Sequence, residues 1–438
     1  MNEPTTRSSR WAISPPASLH GTACVPGDKS ISHRALMLGS LATGESHVGG
    51  FLPSGDCMAT IGCMRALGVT IERHDETTLT VDGRGLHGLF APGAPLDCVR
   101  SGTTMRLLSG ILAGQRFEAT LTGDAQLLRR PMRRVTEPLR RMGAQIKDQG
   151  GHAPLHVVGG PLHGCVHDLN VASAQVKSAL LLAGLYADAP TVIRQCGLAR
   201  DHTELMLTAM GIEIEADGLE VTIRPPGEAP LAPLSLQVPG DFSSAAYLLV
   251  AAVLVPGSEM TIREVGVNAT RTGLLDVLGR MGAQIDLLRE HHRGGEPVAD
   301  LLVRATSLRG TTVAGDTVVR MIDEFPLLAV AATQAEGTTL VRDAAELRVK
   351  ETDRIATVVS ELSKMGAQIE PQADGFVVHG PVPLHGAVVD SQGDHRLGMA
   401  LVIAALAAEG ETTLEGTDCI ADSFPGFWDV LQGLCEGP

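Results

Sequence analysis

The chain has 438 residues, 44% of them hydrophobic and 19% charged, which suits globular folding and is too long for one ordinary domain, so two domains are expected. A net charge of −15 with two Trp and two Tyr speaks against a nucleic-acid surface of basic patches and stacking aromatics, and any anionic ligand must be held by a local cluster of Lys and Arg. The longest apolar run, Ala245 to Val255, falls short of the roughly 20 residues a membrane span needs, and the opening MNEPTTRSSRW lacks an apolar h-region, so a soluble cytoplasmic protein is expected.

Along the chain one pattern recurs six times. After an N-terminal strand region, SISHRALMLGSLATG starts at Ser30 with small residues and continues as an almost wholly apolar helix. A second, amphipathic helix follows and ends at Gly68 in RALGVTIE, where glycine suits a left-handed helix terminus leading into a strand. The pair returns as SGTTMRLLSGILAG from Ser101 with RRMGAQIK at Gly143, and as SAQVKSALLLAGLYA from Ser173 with TAMGIEIE at Gly211. It returns again as SSAAYLLVAAVLVPG from Ser243 with GRMGAQID at Gly282, and as DEFPLLAVAATQAEG from Asp323 with SKMGAQIE at Gly366. The sixth copy, DHRLGMALVIAALAAEG from Asp394, closes short with VLQGLCEGP. The starts are 71, 72, 70, 80 and 71 residues apart, a period that marks a repeat architecture. Helices apolar on nearly all sides belong in an interior, and the Thr-rich and β-branched stretches after them read as strands.

A coarser symmetry lies above this one, because VPGDKS at Val25 reappears as VPGDFSS at Val238 and groups the six units as two sets of three. The strand region before Pro26 falls outside the first set and is expected to pair with the second. The predicted domains are therefore residues 27–240 and a discontinuous 1–26 plus 241–438, with chain crossings near Pro26-Gly27 and Pro239-Gly240.

Candidate chemistry lies at the helix starts. Lys29, Ser30 and Arg34 sit at or just inside a helix N-terminus, where backbone N–H groups, the dipole and charged donors favour a phosphate or carboxylate. Standing alone, the motif is equally well a solvated cap. Arg106, Arg130, Lys350, Arg354 and Arg396 hold comparable places, and so many cations near helix starts in an acidic chain suggest one strongly anionic ligand set. Asp323 and Glu351 stand among them and serve either as plain ion pairs or in proton transfer. GRGLHG at Gly83 fails as a dinucleotide fingerprint because Pro92 and Pro95 follow, and GDKS at Gly27 fails as a Walker loop because Thr22 replaces the required glycine. His291 and His292 in REHHRGGEP read as a loop tip. The eight cysteines show no CxxC pair and no zinc spacing, so reduced, mostly buried thiols and no metal are expected.

With PGDKSISHRA, SGTTMR, GDAQLLRRPM, SAQVKSALLLAGL, RDHTE, IDEFP, RVKETDRI and GDHRLGMA in this order, the chain resembles the 5-enolpyruvylshikimate-3-phosphate synthase family from about Val25 to about Pro425. The resemblance implies an inside-out α/β barrel: two similar domains, each of three βαβαββ units, closing over the substrates. It implies transfer of the enolpyruvyl group of phosphoenolpyruvate to the 5-hydroxyl of shikimate 3-phosphate by addition and elimination, in a monomer needing no cofactor or metal. It places Lys29, Ser30, Arg34, Ser173, Ala174, Gln175, Arg200, Asp323 and Lys350 around shikimate 3-phosphate. Phosphoenolpyruvate would lie against Lys29, Gly102, Arg130, Gln175, Arg354 and Arg396. Asp323, helped by Lys29, would take the hydroxyl proton, and Glu351 would protonate the methylene carbon.

Four positions depart from the family pattern: Val99 and Arg100 replace the usual Gly and Asn, Asp422 stands where one branch has Lys, and Ala199 replaces Ser or Thr. Two alternatives remain. An enolpyruvyl transferase acting on a UDP-amino sugar would carry a Lys-Asn pair where this chain has Lys29-Ser30. A non-catalytic anion-binding protein on the same scaffold would bind shikimate 3-phosphate and release no phosphate.

Overall fold

A helix with no polar face is stable only where no side of it meets water, and the segments of that kind set the plan of this fold. A computed structural model describes residues 9–436, so the opening residues on which the reading of targeting signals rests lie outside it. In chain order the helices are α1 (Lys29–Leu41), α2 (Gly55–Ala66), α3 (Gly102–Ala113), the single turn α4 (Ala125–Leu128), α5 (Arg133–Arg141), α6 (Ala174–Gly184) and α7 (His202–Ala209). They continue as α8 (Phe242–Leu254), α9 (Gly273–Met281), α10 (Asp316–Arg320), α11 (Phe325–Thr333), α12 (Arg354–Lys364), α13 (His395–Leu406) and α14 (Phe427–Glu436). The six apolar segments are α1, α3, α6, α8, α11 and α13, each buried along nearly its whole length.

Five of the six are opened by a side-chain cap: Asp28 to Ile31 N, Ser101 to Thr104 N, Ser173 to Val176 N, Asp241 to Ser243 N and Asp394 to Arg396 N. α11 has Pro326 in its first turn instead. The amphipathic helices end at Gly68, Gly143, Gly211, Gly282 and Gly366, with φ between +88° and +100° as a left-handed terminus requires.

The chain divides into two compact units, one running to Val25 and resuming over Gly240–Glu290 and from Ala299 onward (unit 1), the other Pro26–Pro239 with His291–Val298 (unit 2). Each has its own apolar core. In unit 2, three four-stranded sheets repeat one pattern. Leu96–Asp97 runs parallel to Glu118–Thr122, which is antiparallel to Leu155–Val158, itself antiparallel to Gln145–Lys147. Val166–Asp168 opens the same arrangement on Thr191–Arg194, and Ser235–Gln237 opens it on Thr43–Gly49. In unit 1, His20–Cys24 lies parallel to Glu259–Gly266, and Leu308–Arg309 parallel to Ala335–Val341. A three-stranded sheet joins Arg10–Ile13, Thr412–Glu415 and Val388–Asp390. The strand before α1 thus serves unit 1, and the strand before α8 serves unit 2.

Three expectations need correction. REHHRGGEP is no loop tip: His291 and His292 belong to the strand Gln284–Arg293, and Gly294-Gly295 makes the turn into Glu296–Arg304. The charges marked it as a loop, whereas it is the far end of a long hairpin. Residues 291–298 also group with unit 2 rather than with the rest of 241–438, and there the buried Glu296 bonds His202 Nδ1 at 2.6 Å. The eight cysteines are free, with Cys57, Cys63, Cys98 and Cys419 buried and Cys24 and Cys196 exposed, so fewer are buried than expected. Among the described residues no helix is long and apolar enough to cross a membrane.

Candidate active site

In unit 2 the first turns of α1, α3 and α6 meet. Arg34, buried on α1, donates from Nη2 to Ser178 Oγ on α6 and from Nε to Thr203 Oγ1 at the start of α7, both at 2.7 Å, and from Nη1 to Ser30 O at 2.9 Å. Arg106 on α3 donates to Gln175 Oε1 on α6 at 2.5 Å, and Gln175 Nε2 donates to Thr103 Oγ1 at 2.8 Å. A chain of three 2.7 Å hydrogen bonds through His33 Nδ1, Thr60 Oγ1, Thr104 Oγ1 and Ser101 Oγ ties α1, by way of α2, to the cap of α3. The positive ends of three helix dipoles are thereby brought to one place, a ready anion site.

Cations gather on it. Lys29 opens α1 and pairs with Asp56 on α2 at 2.5 Å. A Cβ on Gly102 would lie 2.8 Å from Arg106 Nη1 and 3.1 Å from Arg130 Nη1, so only glycine lets bare backbone face these two guanidinium groups. Burial pushes the Arg34 guanidinium down to about 10; Glu204 and Asp28 oppose the shift and the nearby Arg200 adds to it. Like charges that act on each other in this way would be relieved by an incoming anion. Ser173 caps α6, and Ala174 and Gln175 are its first two residues.

Unit 1 repeats the convergence with carboxylates at the helix starts: Asp241, Glu324 and Asp394 are all at most 2% exposed. Ser243 at the start of α8 hydrogen-bonds Glu324 at the start of α11, and Tyr247 on α8 donates to Arg396 O on α13 at 3.3 Å. Arg271 Nη2 reaches Asp241 Oδ1 at 2.7 Å and Ser243 Oγ at 3.1 Å. Arg354, at the start of α12, gathers three carboxylates: Nε to Asp394 Oδ2 at 2.8 Å, Nη2 to Glu351 Oε2 at 2.7 Å, and Nη1 to Asp323 Oδ1 at 3.6 Å. Burial alone would lower its basicity, but Asp394, Glu351 and Asp323 hold Arg354 above its ordinary value. The same holds for Arg396, with Asp323 foremost among the carboxylates. Arg396 Nη1 is buried without a hydrogen-bond partner among the described residues, an orphaned donor that an anionic ligand would satisfy. Asp323 and Glu351 remain 19% and 24% exposed, unlike the sealed cap carboxylates, and so are open to a ligand. Lys350 follows the short 3-10 turn Ala345–Val349, next to Glu351.

The sequence-expected residues therefore form two sets. Lys29, Ser30, Arg34, Gly102, Arg130, Ser173, Ala174, Gln175 and Arg200 lie in unit 2, and Asp323, Lys350, Glu351, Arg354 and Arg396 in unit 1. Missing from the expectation were the counter-charges Asp56, Asp241, Arg271, Glu324 and Asp394, and the bond from Arg106 to Gln175. One signal was available: Gly-Asp recurs before three of the apolar helices, at Asp28, Asp241 and Asp394.

Of the departures, Val99 has φ +50°, which a β-branched residue adopts only under strain and glycine adopts freely. Its N–H donates to Asp97 Oδ1 and its carbonyl accepts from Asp124 N, both at 2.8 Å, so the turn is held despite the side chain. Arg100 Nε contacts Asp124 Oδ2 at 3.1 Å. Nothing in the structure explains Asp422.

Residues 13–431 match the family model for EPSP synthase (3-phosphoshikimate 1-carboxyvinyltransferase). Among curated proteins, the 3-phosphoshikimate 1-carboxyvinyltransferase of Geobacter sulfurreducens is 53% identical over 421 residues, 95% of this chain and 97% of that one. That of Brevibacillus brevis is 51% identical over 420 residues, 95% of this chain and 98% of that one. Among solved structures, an EPSP synthase from Acinetobacter baumannii superimposes with a TM-score of 0.87 at 41% identity, covering 97% of this chain and 98% of that chain.

Proposed function

Because the chain belongs to the EPSP synthase (3-phosphoshikimate 1-carboxyvinyltransferase) family, we propose that its two half-sites act on one pair of substrates. The chain is an enzyme that transfers the enolpyruvyl group of phosphoenolpyruvate to the 5-hydroxyl of shikimate 3-phosphate and releases phosphate. We read the fold as the inside-out α/β barrel of three βαβαββ units per domain, hinged where the chain crosses near residues 26 and 240, in a monomeric cytoplasmic enzyme. Closure is driven by ligand: cations on the two halves repel until an anion bridges them.

In unit 2, Lys29, Ser30, Arg34, Ser173, Ala174, Gln175 and Arg200 hold shikimate 3-phosphate, joined by Asp323 and Lys350 at its reactive hydroxyl. Phosphoenolpyruvate lies against Lys29, Gly102, Arg130, Gln175, Arg354 and Arg396. Asp323, assisted by Lys29, accepts the hydroxyl proton while Glu351 delivers a proton to the methylene carbon, and the hydroxyl oxygen bonds to C2 of phosphoenolpyruvate. In the resulting tetrahedral adduct the new methyl group gives a proton back and the C–O bond to phosphate breaks. An anion arriving at Arg354 competes with Glu351 for Nη2, and that competition frees Glu351 to carry the proton. Fixed guanidinium groups in a closed, dried site stabilise the charge on both acids.

One observation carries this reading: two partly open carboxylates, Asp323 and Glu351, share a buried arginine beside the unsatisfied Arg396. The test is phosphate release with shikimate 3-phosphate and phosphoenolpyruvate, using a UDP-amino sugar as control acceptor. Release is expected with the first acceptor alone, and its absence there defeats the reading.

A further inference from the structure

Lys177 lies on α6, one turn beyond Ser173, Ala174 and Gln175, and is 1% exposed. Its Nζ stands 2.6 Å from Glu204 Oε1 in the first turn of α7 and donates to Ala199 O at 2.9 Å. Burying such a pair is expensive, and where stability alone is at stake an apolar pair of similar volume does as well or better. What an apolar pair cannot do is hold a carbonyl, and the carbonyl held here belongs to the residue immediately before Arg200.

The surroundings explain why this backbone needs holding. The loop that carries Arg200 alternates between water and interior, with Cys196 exposed and Leu198 39% exposed but Gln195 and Ala199 buried. The charge of Arg200 acts against that of Arg34, so the two repel. Ala199 is fixed on both sides, its N–H on Gln195 Oε1 at 3.3 Å and its carbonyl on Lys177. Beyond Arg200, Thr203 is fixed by Arg34 and by a 2.7 Å bond to Ser178. The contact uses main chain at residue 199, so it does not depend on the side chain there.

We infer that Lys177 is a positioning residue for shikimate 3-phosphate, which holds Arg200 in place by anchoring the carbonyl of Ala199, the residue before it, while Arg34 holds Thr203 three residues after it. The inference rests on the reading of Arg200 as a contact to that substrate. Lys177 touches neither substrate and moves no proton.

Steady-state kinetics on the full chain test it. Lys177→Met alone strands the Glu204 carboxylate in the interior and endangers folding, so the variant to use is Lys177→Met/Glu204→Met, its folding checked by thermal melting. Loss of a hydrogen bond from a charged donor predicts a KM for shikimate 3-phosphate raised about 10-fold, with kcat and the KM for phosphoenolpyruvate within about twofold of the parent. In an Arg200→Ala background the same pair of substitutions adds no further increase, because the two changes act through one contact. An unchanged KM in Lys177→Met/Glu204→Met, while Arg200→Ala raises it, overturns the inference and leaves the site reading intact. So does a loss that falls equally on both substrates or adds fully to that of Arg200→Ala. If Arg200→Ala itself leaves the KM unchanged, the underlying site reading fails and takes the role of Lys177 with it.

Discussion

Glu351 is 2.7 Å from Arg354 Nη2 and about a quarter exposed, which leaves one face for a ligand and one for its counter-charge. Glu351→Gln keeps the shape and removes the transferable proton, so phosphate release should fall by about 10²–10⁴-fold while shikimate 3-phosphate still binds by calorimetry. His33 gives a prediction of a different kind. Burial lowers its pKa to about 3 from the 6.5 of an exposed imidazole, so the folded chain keeps it neutral where the unfolded chain would protonate it. Its contribution to stability is complete above pH 6.5 and is lost as pH falls toward 3, at up to about 1.4 kcal/mol per pH unit. Urea midpoints at pH 7 and pH 5 should therefore differ more in the parent than in His33→Asn, which has no imidazole to titrate. The cations and carboxylates that the structure gathers into two clusters were legible because they sit in short strings at helix starts, such as PGDKSISHR and RVKETDR. Their counter-charges were not. Nothing near Lys29 in sequence selects Asp56, and nothing near Lys177 selects Glu204, because these partners are chosen only when separate helices pack.

Elements were more readable than residues. A wholly buried helix must be apolar all round, so α1, α3, α6, α8, α11 and α13 declared themselves by composition alone. The glycines that end the amphipathic helices did so by the left-handed turn each has to make. Gly282 has φ +100° and a Cβ there would meet Ser307 O at 3.6 Å, an ordinary contact, so Gly282→Ala should destabilise unit 1 by about 1 kcal/mol through backbone strain alone, measurable by chemical denaturation. Gly110 is the opposite case: a Cβ there would lie 2.1 Å from Ala179 O, where α3 packs against α6. Gly110→Ala should force the helices apart at a cost of about 1–3 kcal/mol. Both helices start in the proposed phosphoenolpyruvate site, so its KM should rise with the loss of stability. Strands two or three residues long, such as Leu96–Asp97 and Val166–Asp168, were not legible individually, since so short a run carries no periodicity to detect.

At the scale of the whole molecule, the proposed activity divides its labour: unit 2 supplies most of the cations, and unit 1 supplies Asp323, Glu351 and the buried arginines that face them. Ligand-driven closure then predicts that the radius of gyration of Glu351→Gln in solution scattering falls when shikimate 3-phosphate and phosphoenolpyruvate are both present. An unchanged scattering curve at saturation would refute closure while leaving the chemistry standing. The twofold repeat was visible in VPGDKS and VPGDFSS, but the exchange of parallel strands between halves was visible only in part, because pairing a strand with a distant partner leaves no local mark.

That exchange reaches back to synthesis. His20–Cys24 leaves the ribosome early, yet its sheet neighbour is Glu259–Gly266, and the adjoining Leu19 N–H finds its acceptor on Ser258, 239 residues downstream. At ordinary translation rates the nascent strand waits roughly 10–50 s for that neighbour. The sheet of Thr43–Gly49 meets its last strand, Ser235–Gln237, sooner, so the early strand has to be kept from mispairing while the middle of the chain folds first. A short strand with Gly21 and few apolar side chains is well suited to wait in water without recruiting another chain.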